Sequence, residues 1–109
     1  MAVLSDADIL AAMRAGDLVV EPFREDALTP NGLDLRVAEV LMPDVEEEPV
    51  KLVAGTVHVP GHARFLVSTL ERVRLGPALA GQLWIRSSWA RKGFLASFGK
   101  VEAGFEGTL

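Results

Sequence analysis

Residues 29–40, Thr-Pro-Asn-Gly-Leu-Asp-Leu-Arg-Val-Ala-Glu-Val, join a turn signal directly to a β-prone run. Proline fixes φ, and asparagine and glycine accept the backbone conformations of tight turns, so Thr29–Gly32 predicts a turn. The run Leu33–Val40 that follows favours a strand. Similar runs recur at Leu18–Val20, Val50–Val53, Thr56–Val59, Arg64–Leu70, Gln82–Arg86 and Phe94–Phe98. Further turn signals separate them, at Met42–Asp44, Pro60–Gly61 and Gly76–Pro77.

The sequence before these runs predicts one short helix, over Leu4–Gly16. Ile9 and Met13 fall on one face at helical spacing. Ser5 suits the N-cap, and Gly16 lies where a helix ends. Many short strands after one leading helix indicate a mainly β domain of the barrel or sandwich type. A chain of 109 residues has room for a single domain with one core.

Composition excludes several classes of protein. The chain has no cysteine, which rules out disulfides, a thiolate nucleophile and every Cys-ligated zinc or iron–sulfur site. Half of the residues are hydrophobic and 24% are charged, so the chain is not compositionally disordered. No run approaches the roughly 18 apolar residues of a membrane span, and the N-terminus has no signal-peptide pattern. We therefore expect a soluble cytoplasmic protein that does not contact a membrane.

Charge is divided unevenly along the chain. The net charge of −4 argues against a protein that coats a nucleic acid polymer, because such affinity comes from Lys and Arg on phosphates. Residues 1–63 hold four basic and twelve acidic side chains, a net charge of −8, whereas residues 64–109 hold seven basic and three acidic, a net charge of +4. A small anionic ligand is therefore expected on the second half.

The segment 86–92, Arg-Ser-Ser-Trp-Ala-Arg-Lys, concentrates three cations and two hydroxyls with no acid among them. Hydroxyls donate hydrogen bonds to phosphate oxygens, and arginine offers a planar fork of donors that a phosphate accepts in pairs. Exposed amides would add to the attraction if Trp89–Arg91 begins a helical turn. The segment is thus a candidate anion site. The alternative, a strand end with ordinary surface charges, remains open.

Other polar residues are expected to have structural roles. His58 and His62 have metal-ligand spacing, but the Pro-Gly between them favours a turn, so we expect no metal site. Asp34 and Arg36 alternate in strand fashion and would share one face, which predicts a salt bridge. Glu71 is the only acid between residues 64 and 100, which favours pairing with a neighbouring arginine.

The two tryptophans, Trp84 and Trp89, are expected to pack in the core or in an interface rather than to stack on a base.

Six blocks of sequence together resemble the dCTP deaminase branch of the dUTPase-like superfamily. They are Leu4–Ile9, Val20–Phe23, Leu28–Arg36, Ser68–Val73, Arg86–Arg91 and Gly99–Gly107. The resemblance implies a distorted β-barrel (β-clip) subunit, a homotrimer with active sites at its interfaces, and a dCTP, dUTP or dTTP type of nucleotide as ligand. It further implies zinc-independent deamination of dCTP to dUTP and ammonia, in pyrimidine deoxynucleotide biosynthesis. Mg²⁺ would be bound through the triphosphate rather than by a protein cage.

The resemblance also implies roles for individual residues. Arg86, Ser87 and Ser88 would bind phosphates, with Ser87 also close to the reacting base. Arg91 would hold and polarise the attacking water, and Trp89 and Ala90 complete the ligand loop. Glu102 would contact the deoxyribose, at a position where relatives usually carry Asp. The implied catalytic set is Ser87, Arg91 and Glu102.

Three departures from the family pattern keep alternatives open. The proton-shuttling Glu of the deaminases is expected about three positions past Leu109, so we interpret the sequence as a C-terminally incomplete domain that is inactive alone. A natural truncation that only binds nucleotide is the other interpretation. Glu102 in place of the usual Asp is the second departure. The third is the short spacing from Arg86 to Glu102, which resembles the dUTPase pattern. It leaves a dUTP diphosphatase or a bifunctional enzyme open, with Glu102 as the candidate general base.

Overall fold

The computed structural model describes residues 2–44, 50–51 and 56–109. Helix α1 spans Asp6–Arg14, helix α2 spans Ser87–Ala90, and a 3₁₀ turn spans Glu25–Ala27. The first strands are β1 (Leu18–Glu21), β2 (Leu28–Thr29), β3 (Gly32–Leu33), β4 (Val37–Leu41) and β5 (Val50–Lys51). The later strands are β6 (Leu66–Thr69), β7 (Arg72–Leu75), β8 (Gly81–Gln82), β9 (Lys100–Val101) and β10 (Glu106–Thr108).

Helix α1 forms where the sequence predicts it. The Asp8 N–H donates to the Ser5 hydroxyl at 3.2 Å, which satisfies one of the unpaired amides of the first turn. Asp6 and Asp8 place negative charge at the positive end of the helix. The helix ends at Arg14 with Ala15 as its C-cap, and Gly16 after the cap has a φ of +80°, in the left-handed region that glycine adopts without strain. No helix in the described part of the chain is long and apolar enough to cross a lipid bilayer.

The strands form small antiparallel sheets. Two sheets have three strands, in the orders β1-β7-β10 and β5-β4-β6, and two are the pairs β2-β3 and β8-β9. The pair β2-β3 closes around the predicted turn, with Thr29 opposite Gly32. The prediction of a mainly β domain with a short leading helix is confirmed. Among the described residues the strands are divided over these four sheets.

The core lies between α1 and the β1-β7-β10 sheet. In β7 the apolar residues Val73 and Leu75 are buried, while Arg72 and Arg74, which alternate with them, are exposed. This alternation is what a strand with one face on a core requires. The buried cluster consists of Ile9, Leu18, Val20, Val73, Leu75 and Val101.

Thr69 connects the two three-stranded sheets. The N–H of Thr69, the last residue of β6, donates to the carbonyl of Leu109 at 2.8 Å. The N–H of Leu109, the residue after β10, donates back to the Thr69 hydroxyl at 2.9 Å. That hydroxyl also donates to the Glu71 carbonyl at 2.9 Å. One threonine therefore holds the end of β10 beside β6.

Several predicted strands are shorter than expected or wrong. The run Gln82–Arg86 forms a strand only at its start, and Thr56–Val59 forms none. Phe94–Phe98 also forms no strand, because Gly93 turns the chain at a φ of +98° and Phe94 packs against α2. Residues 52 and 53 of the predicted strand Val50–Val53 lie outside the described residues.

Candidate functional site

The segment 86–92 folds around the short helix α2. Arg86 is the N-cap, and its carbonyl accepts the N–H groups of Trp89 and Ala90 at 3.0 and 3.1 Å. The Arg91 N–H donates to the Ser87 carbonyl at 2.9 Å and closes the turn. The predicted helical turn is present and starts two residues earlier than the sequence suggested, at Ser87.

This loop presents its polar side chains to solvent. Every residue from Arg86 to Lys92 is exposed, and no acidic residue lies within the segment. Two guanidinium groups, one ammonium and two hydroxyls are therefore available on one short stretch of surface. Such donors match the oxygens of a phosphate chain, which accepts charge-assisted hydrogen bonds in pairs. The segment forms a helical turn and not a strand end, and its exposed side chains are accessible to a ligand.

An aromatic stack fastens the loop to the rest of the fold. The rings of Trp89 and Phe94 meet edge to face with centroids 5.5 Å apart, and Phe94 meets Phe65 in the same way at 6.0 Å. Phe65 directly precedes β6. The Lys92 ammonium lies 4.6 Å from the centroid of the Trp89 ring, within the range of a cation–π contact. The loop is thus exposed on its polar side and packed on its aromatic side.

The expectation of core packing for the tryptophans is wrong. Trp84 is 83% exposed, because β8 ends at Gln82 and the chain leaves the sheet before it. Trp89 is also exposed, apart from its contact with Phe94. The alternative expectation, that these side chains lie in an interface, involves a second chain and stays a prediction.

The acidic residues near the loop pair differently from the expectation. Arg36 does not pair with Asp34; its backbone N–H and its Nε donate to the two carboxylate oxygens of Glu71, at 2.8 and 2.9 Å. Glu71 is buried and pairs with an arginine, as predicted, but that arginine is Arg36, 35 positions away, and not a neighbour along the chain. Asp34 instead faces the loop, with its Oδ2 3.7 Å from Nη1 of Arg86.

The environment of Glu71 has two opposing effects on its pKa. Burial by itself raises the pKa, because it disfavours the charged carboxylate. The hydrogen bonds from the backbone and side chain of Arg36 outweigh burial and leave the pKa below its ordinary value. Glu71 is therefore held as a carboxylate.

Glu102 directly follows strand β9 and is not part of the loop. Its side chain is 75% exposed, and its Oε1 lies 3.2 Å from the Lys100 ammonium. It lines a cleft of about 300 Å³ with mostly apolar neighbours, among them Leu83, Val101, Phe105 and Leu109. No hydrogen bond or ion pair between described residues joins it to Arg86–Arg91. The seven predicted site residues therefore fall into two groups. Six of them are consecutive in the loop, Arg86–Arg91, and the seventh, Glu102, lines the cleft.

Metal-binding side chains are not clustered in the described residues: no group of three or more His, Asp or Glu could hold an ion there. His62 lies in a turn, with a φ of +62°, and the Ala63 N–H donates to the Pro60 carbonyl at 3.2 Å. The turn predicted between His58 and His62 is therefore present.

Two contributions to the site were missed in the sequence. The first is the aromatic stack: Phe94 contacts Trp89, and Phe65 contacts Phe94. Both phenylalanines lie in runs that were interpreted only as strands. Asp34 was assigned to Arg36 because both fall on one face of a strand. Residues 34–36 lie between β3 and β4 and belong to neither, so the alternation rule does not apply to them. No short-range pattern identifies Arg86 as the partner.

The comparisons with known proteins agree with these features. A family model described as dCTP deaminase-like matches residues 3–109. A dCTP deaminase of Thermococcus gammatolerans is 42% identical in an alignment of 98 positions, gaps included, that covers 85% of this chain and 59% of that protein. A dCTP deaminase of Pyrococcus horikoshii is 41% identical over the same shares of both chains.

A dCTP deaminase of Aeropyrum pernix is 37% identical in an alignment of 121 positions, gaps included, that covers 98% of this chain and 68% of that protein. The chain spans about three fifths of the length of the first two relatives. Since the family model covers nearly every residue, the chain belongs to the dCTP deaminase-like family.

Proposed function

We propose that the protein is a dCTP deaminase, which hydrolyses dCTP to dUTP and ammonia. The observation that carries the proposal is the exposed, acid-free loop Arg86–Lys92, held in place by its aromatic stack. The relatives named dCTP deaminase, from Thermococcus, Pyrococcus and Aeropyrum, support the same reaction. A charged triphosphate substrate also supports a cytoplasmic location.

In this proposal the first three residues of the loop, Arg86–Ser88, bind the phosphates. Arg86 offers up to five N–H donors, and the hydroxyls of Ser87 and Ser88 each offer one. All three side chains are exposed and lie on consecutive residues at the start of α2. A triphosphate that lies along this turn would find donors on successive residues without any rearrangement of the backbone.

The chemical step needs a water molecule that attacks C4 of the cytosine ring. Arg91 and Ser87 would hold this water, and the Arg91 charge would stabilise the negative charge that develops during attack. The water gives up both of its protons, one to ring nitrogen N3 and one to the amino group, so that the C4–N bond breaks, ammonia departs and a carbonyl forms at C4. The step needs a carboxylate to carry a proton from the water to the leaving amine. Glu102 would contact the deoxyribose.

Magnesium would enter with the nucleotide in this proposal. Mg²⁺ prefers oxygen ligands and keeps several waters, and it commonly binds through substrate phosphates. Here the arginines and serines of the loop would bind the complex of the ion with the triphosphate. The deamination would proceed without zinc.

A homotrimer with the site between subunits is part of the same proposal. Large apolar side chains flank the loop in solvent, including Trp84 and Leu95, which is 97% exposed. Exposed apolar groups close together are typical of a protein interface. Replacement of Leu95 by aspartate should shift the sedimentation coefficient to that of a single subunit. Val3→Asp, at another exposed apolar residue, should leave the assembly intact; dissociation of both or of neither would contradict this interface.

The activity is tested by incubating the intact native protein with dCTP and with dUTP separately. Ammonia and diphosphate are measured in each reaction. Ammonia from dCTP without diphosphate is the expected result. Binding of nucleotide with neither product would identify a non-catalytic nucleotide-binding module instead.

A second candidate, a dUTP diphosphatase or a bifunctional enzyme, is favoured by the cleft beside Glu102. The Glu102 carboxylate is exposed at an apolar cleft large enough for part of a nucleoside. In that position it would act as a general base on a water that attacks the phosphate chain. Diphosphate released from dUTP, and lost in Glu102→Gln, would support this activity.

A further inference from the structure

The segment between β3 and β4 is fixed at three backbone positions. The Asp34 N–H donates to the Ala27 carbonyl at 2.8 Å. The Arg36 N–H donates to the buried Glu71 carboxylate at 2.8 Å, and the Arg36 carbonyl accepts the Leu70 N–H at 2.8 Å. The side chain of Arg36 adds a second bond to the same carboxylate. The position of Asp34 is therefore set by a rigid part of the fold and not by the loop that it faces.

The Asp34 carboxylate is the group that this segment presents to the loop. Its Oδ2 lies 3.7 Å from Nη1 of Arg86, with side-chain exposures of 37% for Asp34 and 69% for Arg86. An exposed pair at this distance adds little to folding stability. It does limit the directions in which the Arg86 side chain extends. Because the guanidinium has five N–H donors, contact at one Nη leaves the others for a phosphate.

From this geometry we infer that Asp34 is a positioning residue for nucleotide binding, which holds the Arg86 guanidinium toward the phosphate chain. Arg86 would otherwise sample many rotamers, and their loss on binding would weaken affinity. The inference rests on the proposed function, since it assumes a phosphate ligand on the loop. It assigns Asp34 no contact with that ligand. The Glu71–Arg36 pair acts one step further away, by fixing the segment that carries Asp34.

The sign of the effect separates positioning from simple charge repulsion. Asp34→Asn removes a negative charge close to an anionic ligand, which on Coulomb grounds alone would tighten binding. If Asp34 positions Arg86, the same substitution weakens binding, by about 3- to 10-fold in Kd for dCTP. The carboxylate is restored with one more methylene in Asp34→Glu, which should recover part of the loss.

The experiment measures Kd for dCTP by calorimetry on the intact protein, together with KM, kcat and the melting temperature. We expect Asp34→Asn to raise Kd and KM, with kcat and melting temperature close to those of the parent. A merely structural role would lower the melting temperature and leave Kd unchanged. The control is Asp44→Asn, which breaks a comparable exposed pair, Asp44–Arg64 at 3.4 Å, and should leave Kd unchanged.

A double-mutant cycle shows whether Asp34 acts through Arg86. In an Arg86→Gln background, Asp34→Asn should have no further effect on Kd. An equal effect in both backgrounds, an unchanged Kd or a tighter Kd in the single variant would each overturn the inference. If the parent binds dCTP and Asp34→Asn does not weaken it, the positioning role fails and the proposed function stands. If the parent does not bind dCTP, both fail.

Discussion

The β1-β7-β10 sheet and the loop around α2 use similar residues in opposite ways. In the sheet, apolar side chains point into the core and arginines point outward, so each residue type has the exposure that solvation favours. Around the loop, arginines and large apolar side chains are exposed together. Burial of the apolar side chains in the sheet stabilises the fold, whereas the loop leaves both charged and large apolar groups exposed to solvent.

The largest effect is expected from Arg91→Ala in the loop. The substitution removes the charge proposed to hold the attacking water, so turnover of dCTP should fall by at least ~10²–10³-fold. Because Arg91 is exposed, the melting temperature should stay near that of the parent. Ammonia release and thermal unfolding are the two measurements. Normal turnover would show that Arg91 has no part in the mechanism. A large fall in melting temperature would show that the loop, like the sheet, contributes to stability.

Val73→Ala should have the opposite effect to Arg91→Ala, because it should lower the stability of the fold. Val73 is buried in the middle of the sheet, and truncation removes two methyl groups and leaves a cavity. The free energy of unfolding should fall by about 2–3 kcal/mol. The matched control is Val3→Ala, at an exposed residue, where a change below about 0.5 kcal/mol is expected. Denaturant titration compares the two, and equal losses would contradict the assignment of the core.

Glu71→Gln tests the Arg36–Glu71 pair, which fixes the segment that carries Asp34. The variant replaces a carboxylate oxygen that faces the Arg36 Nε by an amide group, so the free energy of unfolding should fall by about 1–3 kcal/mol at neutral pH. Glu106→Gln, in the exposed pair with Arg72, is the control and should lose less than about 0.5 kcal/mol.

The same pair predicts a pH dependence. The pKa of Glu71 is lower in the folded chain than its ordinary value of 4.5. Its stabilisation is therefore complete above the unfolded pKa and is lost as the pH falls through the folded pKa. The difference in unfolding free energy between the parent and Glu71→Gln should narrow as the pH is lowered below about 4.5. A difference that widens toward acid pH would show that the pKa is raised instead.

The smallest effect is expected from Phe94→Leu, in the stack that joins the two regions. Leucine keeps much of the apolar volume but loses both edge-to-face contacts, so stability should fall by about 0.5–1.5 kcal/mol. Nucleotide affinity should fall with it, because α2 would be held less firmly. Phe98→Leu is the control, since no aromatic pair of the described residues includes Phe98. Equal effects of both variants would show that the stack does not position the loop.

The sequence predicts best those features that depend on neighbours along the chain. The cap at Ser5, the turn at Thr29–Gly32 and the helical turn near Trp89 all depend on local chemistry, and all three are present. The strand β7 was missed because its arginines interrupt an apolar run. The alternation of the arginines with Val73 and Leu75 was nevertheless visible in the sequence.

Features that depend on distant partners could not be predicted in the same way. Arg36 and Glu71 are 35 positions apart, and the choice of Glu71 over Asp34 follows from how the segment after β3 turns. The run at Phe94–Phe98 has strand composition, but its first residue packs against Trp89 instead of joining a ladder. Tertiary packing overrides local preference in such cases.

The two-way bond between Thr69 and Leu109 has a consequence for how the domain opens. Each residue protects the amide of the other, and they belong to the two three-stranded sheets. A fluctuation that separates β10 from its neighbours must also expose the Thr69 amide at the end of β6. Hydrogen exchange at these two amides should therefore report one common free energy of opening, as for a single cooperative unit of unfolding.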